Sequence, residues 1–474
     1  MSEQTKPLVQ ALSKFKEKRP ISFHVPGHKN GLLSGLPEEM QSVLPYDMTE
    51  LEGLDDLHEP SGVIREAEHR LSALYQSDRS FFLVNGSTVG NLAMMYAACR
   101  PGDTVIVQRN AHKSIFHAIE LTGAKPVFVS PAWDAHSNTP GAVRFAVVKE
   151  AIEAYPDAKA VVLTYPTYYG VAGTELADII HYSHEKSIPV LVDEAHGAHF
   201  VAGDAFPQSA LELGADVVVH SAHKTLPAMT MASFLHIRSI IISPERIAHY
   251  LGMLQSSSPS YLLMASLDDA RAYAESYTKE DQVDFLEKRR AFIGNLLTIP
   301  ALRIVESDDP LKLLLRVQGY TGFELLARLE MEGVFAELAD PFQVLFVLPL
   351  LKKSNEYPFS ESVQRIAAAV ASLPMKEELE LMDESIPADE GVSTLTYLPQ
   401  ELHGRETVWK SIEEAVGYVA AASIIPYPPG IPLLLGGEMV TKRHITTLLQ
   451  YLQMNAKFQG AIRANDRQIQ VIID

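Results

Sequence analysis

Four short clusters in this 474-residue chain hold residues able to do chemistry, and each follows or ends an apolar run. Asn85-Gly86-Ser87-Thr88 follows FFLV, and Arg109-Asn110-Ala111-His112 follows TVIVQ. Asp193, Ala195 and His196 lie within LVDEAHGAH, and Ser221, His223 and Lys224 follow DVVV. A glycine with two hydroxyl residues at a helix start presents free backbone N–H groups, the positive end of the helix dipole and two hydroxyl donors. That suits a phosphate, although the same residues alone also make an ordinary N-cap. VDEAH resembles the acidic box with which helicases hold Mg²⁺, but that chemistry needs a G-x-x-x-x-G-K-[ST] loop, and no Gly-Lys-Ser/Thr occurs in the chain. His196 and His199 are three apart, as are His220 and His223, a spacing that serves a metal only on a helix. His220 ends a strand-like run, so no metal is assigned.

These clusters meet only if the runs before them lie side by side. FFLV (81–84), TVIVQ (104–108), PVFVS (126–130), AVVLTYP (160–166), IPVLVDEA (188–195) and DVVVHS (216–221) are continuous apolar stretches with helical stretches between most of them. Such alternation predicts a parallel sheet buried on both faces. In that architecture ligands bind outside the carboxyl ends of the strands, where the four clusters fall. Residues 1–63 are rich in turn signals and read as an irregular arm, 64–300 as a large α/β domain and 301–474 as a smaller α+β domain. In the last, RIVES, LKLLLRV and FQVLFVLPL read as strands, and TGFELLARLEMEG and ETVWKSIEEAVGYVAAA as helices. Pro374 to Gly404 reads as an acidic loop.

One chemistry uses the clusters together. Pyridoxal phosphate needs a lysine for its aldehyde, a phosphate cradle, a carboxylate facing its ring nitrogen and a flat group against the ring. Lys224 supplies the amine. Gly86, Ser87, Thr88 and Ser221 supply the cradle, with His223 beside it. Asp193 would keep the ring nitrogen protonated, Ala195 could pack under the ring and His112 stack above it, with His196 adjoining.

DLHEPSGVIREAE, FFLVNGSTVGN, RNAHKSIFHA, VDEAHGAH, SAHKTLPAMT and PYPPGIPLLLGGE, in this order, resemble the Orn/Lys/Arg decarboxylases. The resemblance runs from about Pro20 to Glu438. It implies an aspartate aminotransferase-like large domain with a mainly parallel seven-stranded sheet. It also implies Lys224 as the Schiff-base lysine, Asp193 as the ring-nitrogen partner, His112 as the stacking residue, and Ser87, Thr88, Ser221 and His223 around the phosphate. The implied reaction is α-decarboxylation of arginine, lysine or ornithine, feeding polyamine metabolism, with Lys224 or His223 returning the proton. The alternatives are another reaction on the same cofactor, such as transamination, or a non-catalytic binding protein. The resemblance further implies a homodimer or larger assembly with the active site between subunits, where Ser256 or Ser257 of SSSP would reach the partner's phosphate. Two departures stand out: the N-terminal wing domain of longer relatives is absent from this sequence, and LLLGGE lacks the proline that often precedes the glycine-glutamate.

Composition agrees with this reading. A formal charge of −19 argues against a nucleic-acid partner and suits a cationic substrate. Recognition of the cationic end needs a carboxylate. Glu438 is the first candidate, and Glu50, Glu52, Asp55, Asp56 and Glu59 are the second. A single cysteine, Cys99, fits a reducing compartment. No signal-peptide core occurs at the N-terminus, and prolines interrupt the longest apolar tract, so a cytoplasmic protein without a membrane span is expected.

Overall fold

The computed structural model describes residues 5–374, 391–426, 431–454 and 456–473. The segment 375–390 of the expected acidic loop, and 427–430 of the proline-rich motif, lie outside the described residues. The chain forms two compact units, one of residues 1–98 and 183–278, the other of 99–182 and 279–474.

In the first unit the strands Arg79–Leu83, Ser233–Ile237, Val217–His220 and Val190–Asp193 lie in that order. Val190–Asp193 and Val217–His220 run parallel, and Ser233–Ile237 is antiparallel to both its neighbours. Val217, Val218 and Val219 are fully buried, as continuous apolar runs predict. Helix Gly86–Ala98 lies against this sheet closely enough that a Cβ on Gly90 would stand 2.8 Å from Val219 and 2.9 Å from Leu83. Only glycine fits there.

A buried polar chain crosses three of these strands and fixes their register. Glu194 accepts from the Ala210 amide and from His220 Nε2 (3.0 Å). His236 Nε2 lies 3.1 Å from His220 Nδ1, and Ser80 Oγ lies 2.7 Å from His236 Nδ1. Each link is satisfied when both imidazoles are neutral and carry the proton on Nε2. Burial, then the neighbouring His220, hold His236 well below the usual histidine range, which agrees with the neutral form. The chain pins the residue that follows Asp193.

The arm is more regular than the sequence reading allows. Pro7–Glu17 is a helix that starts on its proline and buries Leu8 and Leu12. Its first amides donate to Asp268, whose partner is the fully buried Arg271.

The second unit contains Val161–Thr164, Thr104–Gln108 and Lys125–Val129, with Val392–Thr394 added antiparallel to the last. A separate antiparallel sheet holds Leu302–Glu306, Lys312–Val317, Val344–Val347 and Leu338–Ala339 in that order. Helix Gly322–Met331 belongs with it, opened by a Thr321/Glu324 capping box. The helix expected in 406–422 is instead the strand Thr407–Ser411, a 3₁₀ turn and the short strand Val419–Ala420. Both strands pair with Gln468–Ile472. Thr407, Val408 and Trp409 favour an extended backbone, and Gly417, at φ 86°, breaks any continuous helix.

Glu68 provides a test of the first unit. It is buried, it accepts from the Phe82 amide (3.0 Å), and burial pushes its carboxyl up to about 8. Glu68 is therefore protonated in the fold at neutral pH but ionised in the unfolded chain. Its contribution is complete below the unfolded value of 4.5 and is lost as pH rises to about 8. Glu68→Gln keeps the acceptor without this loss. The variant is expected to be more stable than the parent at pH 8 by about 4 kcal/mol, with the difference vanishing near pH 4.5. Urea melts across this range check it, and a pH-independent difference would contradict it.

Candidate functional site

The first unit gathers most of the candidate residues at the carboxyl ends of its strands. Gly86 opens its helix at φ 73°, a left-handed turn that glycine enters without strain, and its amide donates to the Met231 carbonyl (3.0 Å). Ser87 and Thr88 therefore stand in the first helical turn, where backbone amides lack intrahelical partners. Ser221 Oγ donates to Ser87 Oγ (2.8 Å), which ties the end of the Val217–His220 strand to that turn. Ser221 is fully buried, Ser87 half-buried and Thr88 exposed, so the hydroxyls grade from the interior to the surface.

Asp193 ends its strand only 3% exposed. Asn91 Nδ2 donates to Oδ2 (2.9 Å) and the Ala195 amide to Oδ1 (3.2 Å). A carboxylate offers about four acceptor positions. Two described donors leave room for one more, which is what a pyridinium N–H would require. Ala195 and His196 follow, both buried. Lys224 sits in the one-turn helix Ala222–Thr225 with its Nζ 3.0 Å from His196 Nε2. His223, beside it, has Nδ1 3.0 Å from the Ala232 carbonyl. An amine, a buried carboxylate with spare acceptor capacity and an amide-rich hydroxyl cradle fit pyridoxal phosphate.

Sequence reasoning missed Asn91. Its signal was its place one helical turn beyond Ser87 and Thr88, at i+4 and i+3, on the face that carries the cradle. His220 and His199, weighed as metal ligands, have other surroundings: His220 bonds Glu194, and the fully buried His199 lies edge-on to Phe200 and Phe206.

The remaining candidates are placed as follows. His112 belongs to the second unit, where it caps helix Lys113–Thr122 and its Nδ1 accepts from the Ser114 amide (3.3 Å). Glu438 is in the same unit and lies half-buried against Arg109, with Nη2 to Oε2 at 2.7 Å and Nε to Oε1 at 3.3 Å. Burial acts to raise the Glu438 carboxyl, but the Arg109 charge and the Leu435 amide outweigh it and hold the group below its usual range. Arg109 also donates to the Pro432 and Leu433 carbonyls (2.9 and 3.3 Å), so the pair fastens the proline-rich segment. A carboxylate engaged in this way has given its charge to the protein's own guanidinium.

Asp55 has a structural task as well. It accepts from the amides of Ser61, Gly62 and Ile64 at 2.8–3.0 Å, where helix Val63–Tyr75 begins. Burial opposes ionisation, yet the Ser61 and Gly62 amides, with those of Asp56 and Arg65, prevail and lower its carboxyl. Asp56 accepts from the His58 amide, and His58 Nε2 lies 2.8 Å from the Ser256 carbonyl. Ser256 Oγ accepts from the Ser258 amide.

Comparison with known proteins agrees with this arrangement. The sequence pattern of the Orn/Lys/Arg decarboxylase major domain matches residues 6–296, and that of the family's C-terminal domain matches 396–468. An uncharacterised protein of Bacillus subtilis strain 168 is 46% identical, covering 99% of this chain and 98% of its own. An arginine decarboxylase of the same organism is 32% identical over 100% of this chain and 99% of its own. The solved lysine decarboxylase of Francisella novicida shares the fold, with a TM-score of 0.80 at 20% identity, over 100% of this chain and 82% of that one. The buried carboxylate, the strand-end lysine and the hydroxyl turn thus sit in a chain that belongs to the Orn/Lys/Arg decarboxylase family.

Proposed function

We propose that this protein binds pyridoxal phosphate and removes the α-carboxylate of a basic amino acid, arginine, lysine or ornithine, as CO₂ to leave the corresponding amine. The observation that carries the reading is the buried Asp193, held by Asn91 and Ala195 with acceptor capacity to spare, in the unit that also presents Lys224 and the Ser87/Ser221 turn. When bound, the cofactor supplies an aldehyde for an amino group and a ring that takes up the electron pair released with CO₂. Lys224 Nζ would hold that aldehyde, and the Gly86–Thr88 turn with Ser221 and His223 would take the phosphate. Asp193 would keep a proton on the ring nitrogen, and Ala195, with its small side chain, would lie under the ring. His196, 3.0 Å from Lys224 Nζ, is placed to share a proton with it. Substrate preference for a cation is in keeping with the net charge of −19.

The assembly proposed with this function is a homodimer. Ile21, Phe23, Leu32 and Leu33 of the arm are 70–94% exposed, an apolar surface that a second copy would cover. Ser256 and Ser257 are then the candidates to reach the partner's phosphate. A cytoplasmic setting and a supply of amines to polyamine metabolism belong to the same proposal. No helix among the described residues is long and apolar enough to cross a membrane.

Two measurements test the function. Purified protein with pyridoxal phosphate, given arginine, lysine and ornithine separately, should yield CO₂ and the matching amine from at least one. A keto acid without CO₂ would point to transamination, and cofactor binding without turnover of any of the three would contradict an enzyme of this class. Lys224→Ala should lose the visible absorbance of covalently held cofactor and at least a thousandfold in rate, on the order expected for loss of a covalent catalyst. An unchanged spectrum would show that another lysine holds the aldehyde.

A further inference from the structure

In the second unit a cleft of about 490 Å³ opens where one edge of the small antiparallel sheet stops early. It shares no residue with the Gly86–Lys224 constellation. Its volume falls within the range of roughly 300–1,000 Å³ found for small-molecule sites.

The cleft follows from strand lengths. Leu338–Ala339 is the edge strand, and it pairs with Val344–Val347 only through Leu338↔Leu345 and Ala339↔Val344. The Gln343 and Leu345 carbonyls accept from the Asp340 and Glu337 amides on that side (3.0 and 3.1 Å). The Leu348 amide turns the other way, to the Leu311 carbonyl (2.7 Å). Backbone groups alternate in direction along a strand, so Val347 presents its N–H and C=O to the edge side. There the chain before Leu338 has diverged, and no described residue pairs with Val347 on that side. Val347 lines the cleft, so a backbone acceptor and donor are left there for water or a ligand.

The walls are aromatic. Phe335 is 79% exposed and makes no ring contact among the described residues. Tyr357, 48% exposed, tilts against Phe359 with 5.1 Å between ring centres, and Phe359 rests on the buried Phe292 at 4.6 Å. The charged groups divide by what already engages them. Arg365 is held by Glu361 and by the Glu332 carbonyl (3.2 Å). Glu337, exposed and two residues from Phe335, has no hydrogen bond or ion pair to its carboxylate among the described residues. Burial holds the nearby Lys312 below its usual range, and the charge of Asp309 outweighs that of Glu337 in opposing this.

A carboxylate without a fixed partner, an open carbonyl and exposed π faces together favour a cation that carries N–H groups. We propose that this cleft binds a small organic ammonium ion, its N–H groups toward Glu337 and the Val347 carbonyl and its apolar body against Phe335 and Tyr357. The proposal is independent of the decarboxylase reading.

N,N-dimethylphenethylammonium carries the charge and one N–H but, as a tertiary amine, forms no imine with an aldehyde. Its neutral counterpart is 2-phenylethanol. Each is titrated into the full chain by calorimetry, with and without pyridoxal phosphate. The cation is expected to bind at least about tenfold more tightly than the alcohol, and equally well in the presence and absence of the cofactor. Glu337→Gln should weaken the cation at least about threefold and leave the alcohol unchanged. Phe335→Leu keeps an apolar side chain but removes the π face, and it should also weaken the cation at least about threefold. Phe335 is exposed, so Phe335→Leu decides alone if Glu337→Gln does not fold. Equal affinity for the two compounds, no binding of the cation, dependence of its binding on the cofactor, or an unchanged affinity in a folded variant would overturn the proposal.

Discussion

Two adjacent carboxylates end the Val190–Asp193 strand, both almost wholly buried, and each must find partners for its charge and lone pairs. Asp193 takes Asn91 and the Ala195 amide, while Glu194 takes Ala210 and the chain through His220 and His236 to Ser80. Their direct partners come from the Val217–His220 strand, from the Ala195 and Ala210 amides and from the helix that begins at Gly86, and His220 carries the chain on across two further strands. Satisfying the pair therefore sets the register of the first unit and, with it, the direction in which Asp193 points. A buried carboxylate left without donors costs several kcal/mol, on the scale of the whole stability of a domain.

Around that fixed point the chemistry is arranged by backbone. The left-handed turn at Gly86 starts a helix whose first amides and hydroxyls meet Ser221, and the one-turn helix Ala222–Thr225 holds Lys224 against His196. Gly90 lets the same helix lie directly on Val219 and Leu83. In the second unit the Arg109–Glu438 pair has a comparable mechanical part, holding the segment around Pro432 and Leu433.

Much of this was legible in the chain itself, because buried parallel strands are continuous apolar runs and their carboxyl ends can be read as a list. Lys224, Asp193 and the Gly86–Thr88 turn came from that list. Ser233–Ile237 escaped it, since SFLHI interrupts the apolar run with a serine and a histidine whose partner, His220, is distant in sequence. Asn91 was hidden within an ordinary helix, where its place one turn beyond Ser87 and Thr88 was the one sign of the carboxylate it reaches. The Pro7–Glu17 helix was obscured by turn-rich residues that follow it, and 406–422 by an apolar pattern compatible with either period. Glu438 was singled out as a carboxylate awaiting a cation, and the cation beside it proved to be Arg109, a pairing across 329 residues that no local pattern encodes.

Lys224 is the residue proposed to hold the cofactor aldehyde, and every other proposed role at this strand end depends on it. Borohydride reduction of the protein after incubation with pyridoxal phosphate, followed by digestion and mass spectrometry, tests this directly. The peptide that contains Lys224 should carry the reduced pyridoxyl group, and other lysine peptides should not. Labelling of a different lysine, or no labelling at all, would contradict the assignment of this strand end as the cofactor site.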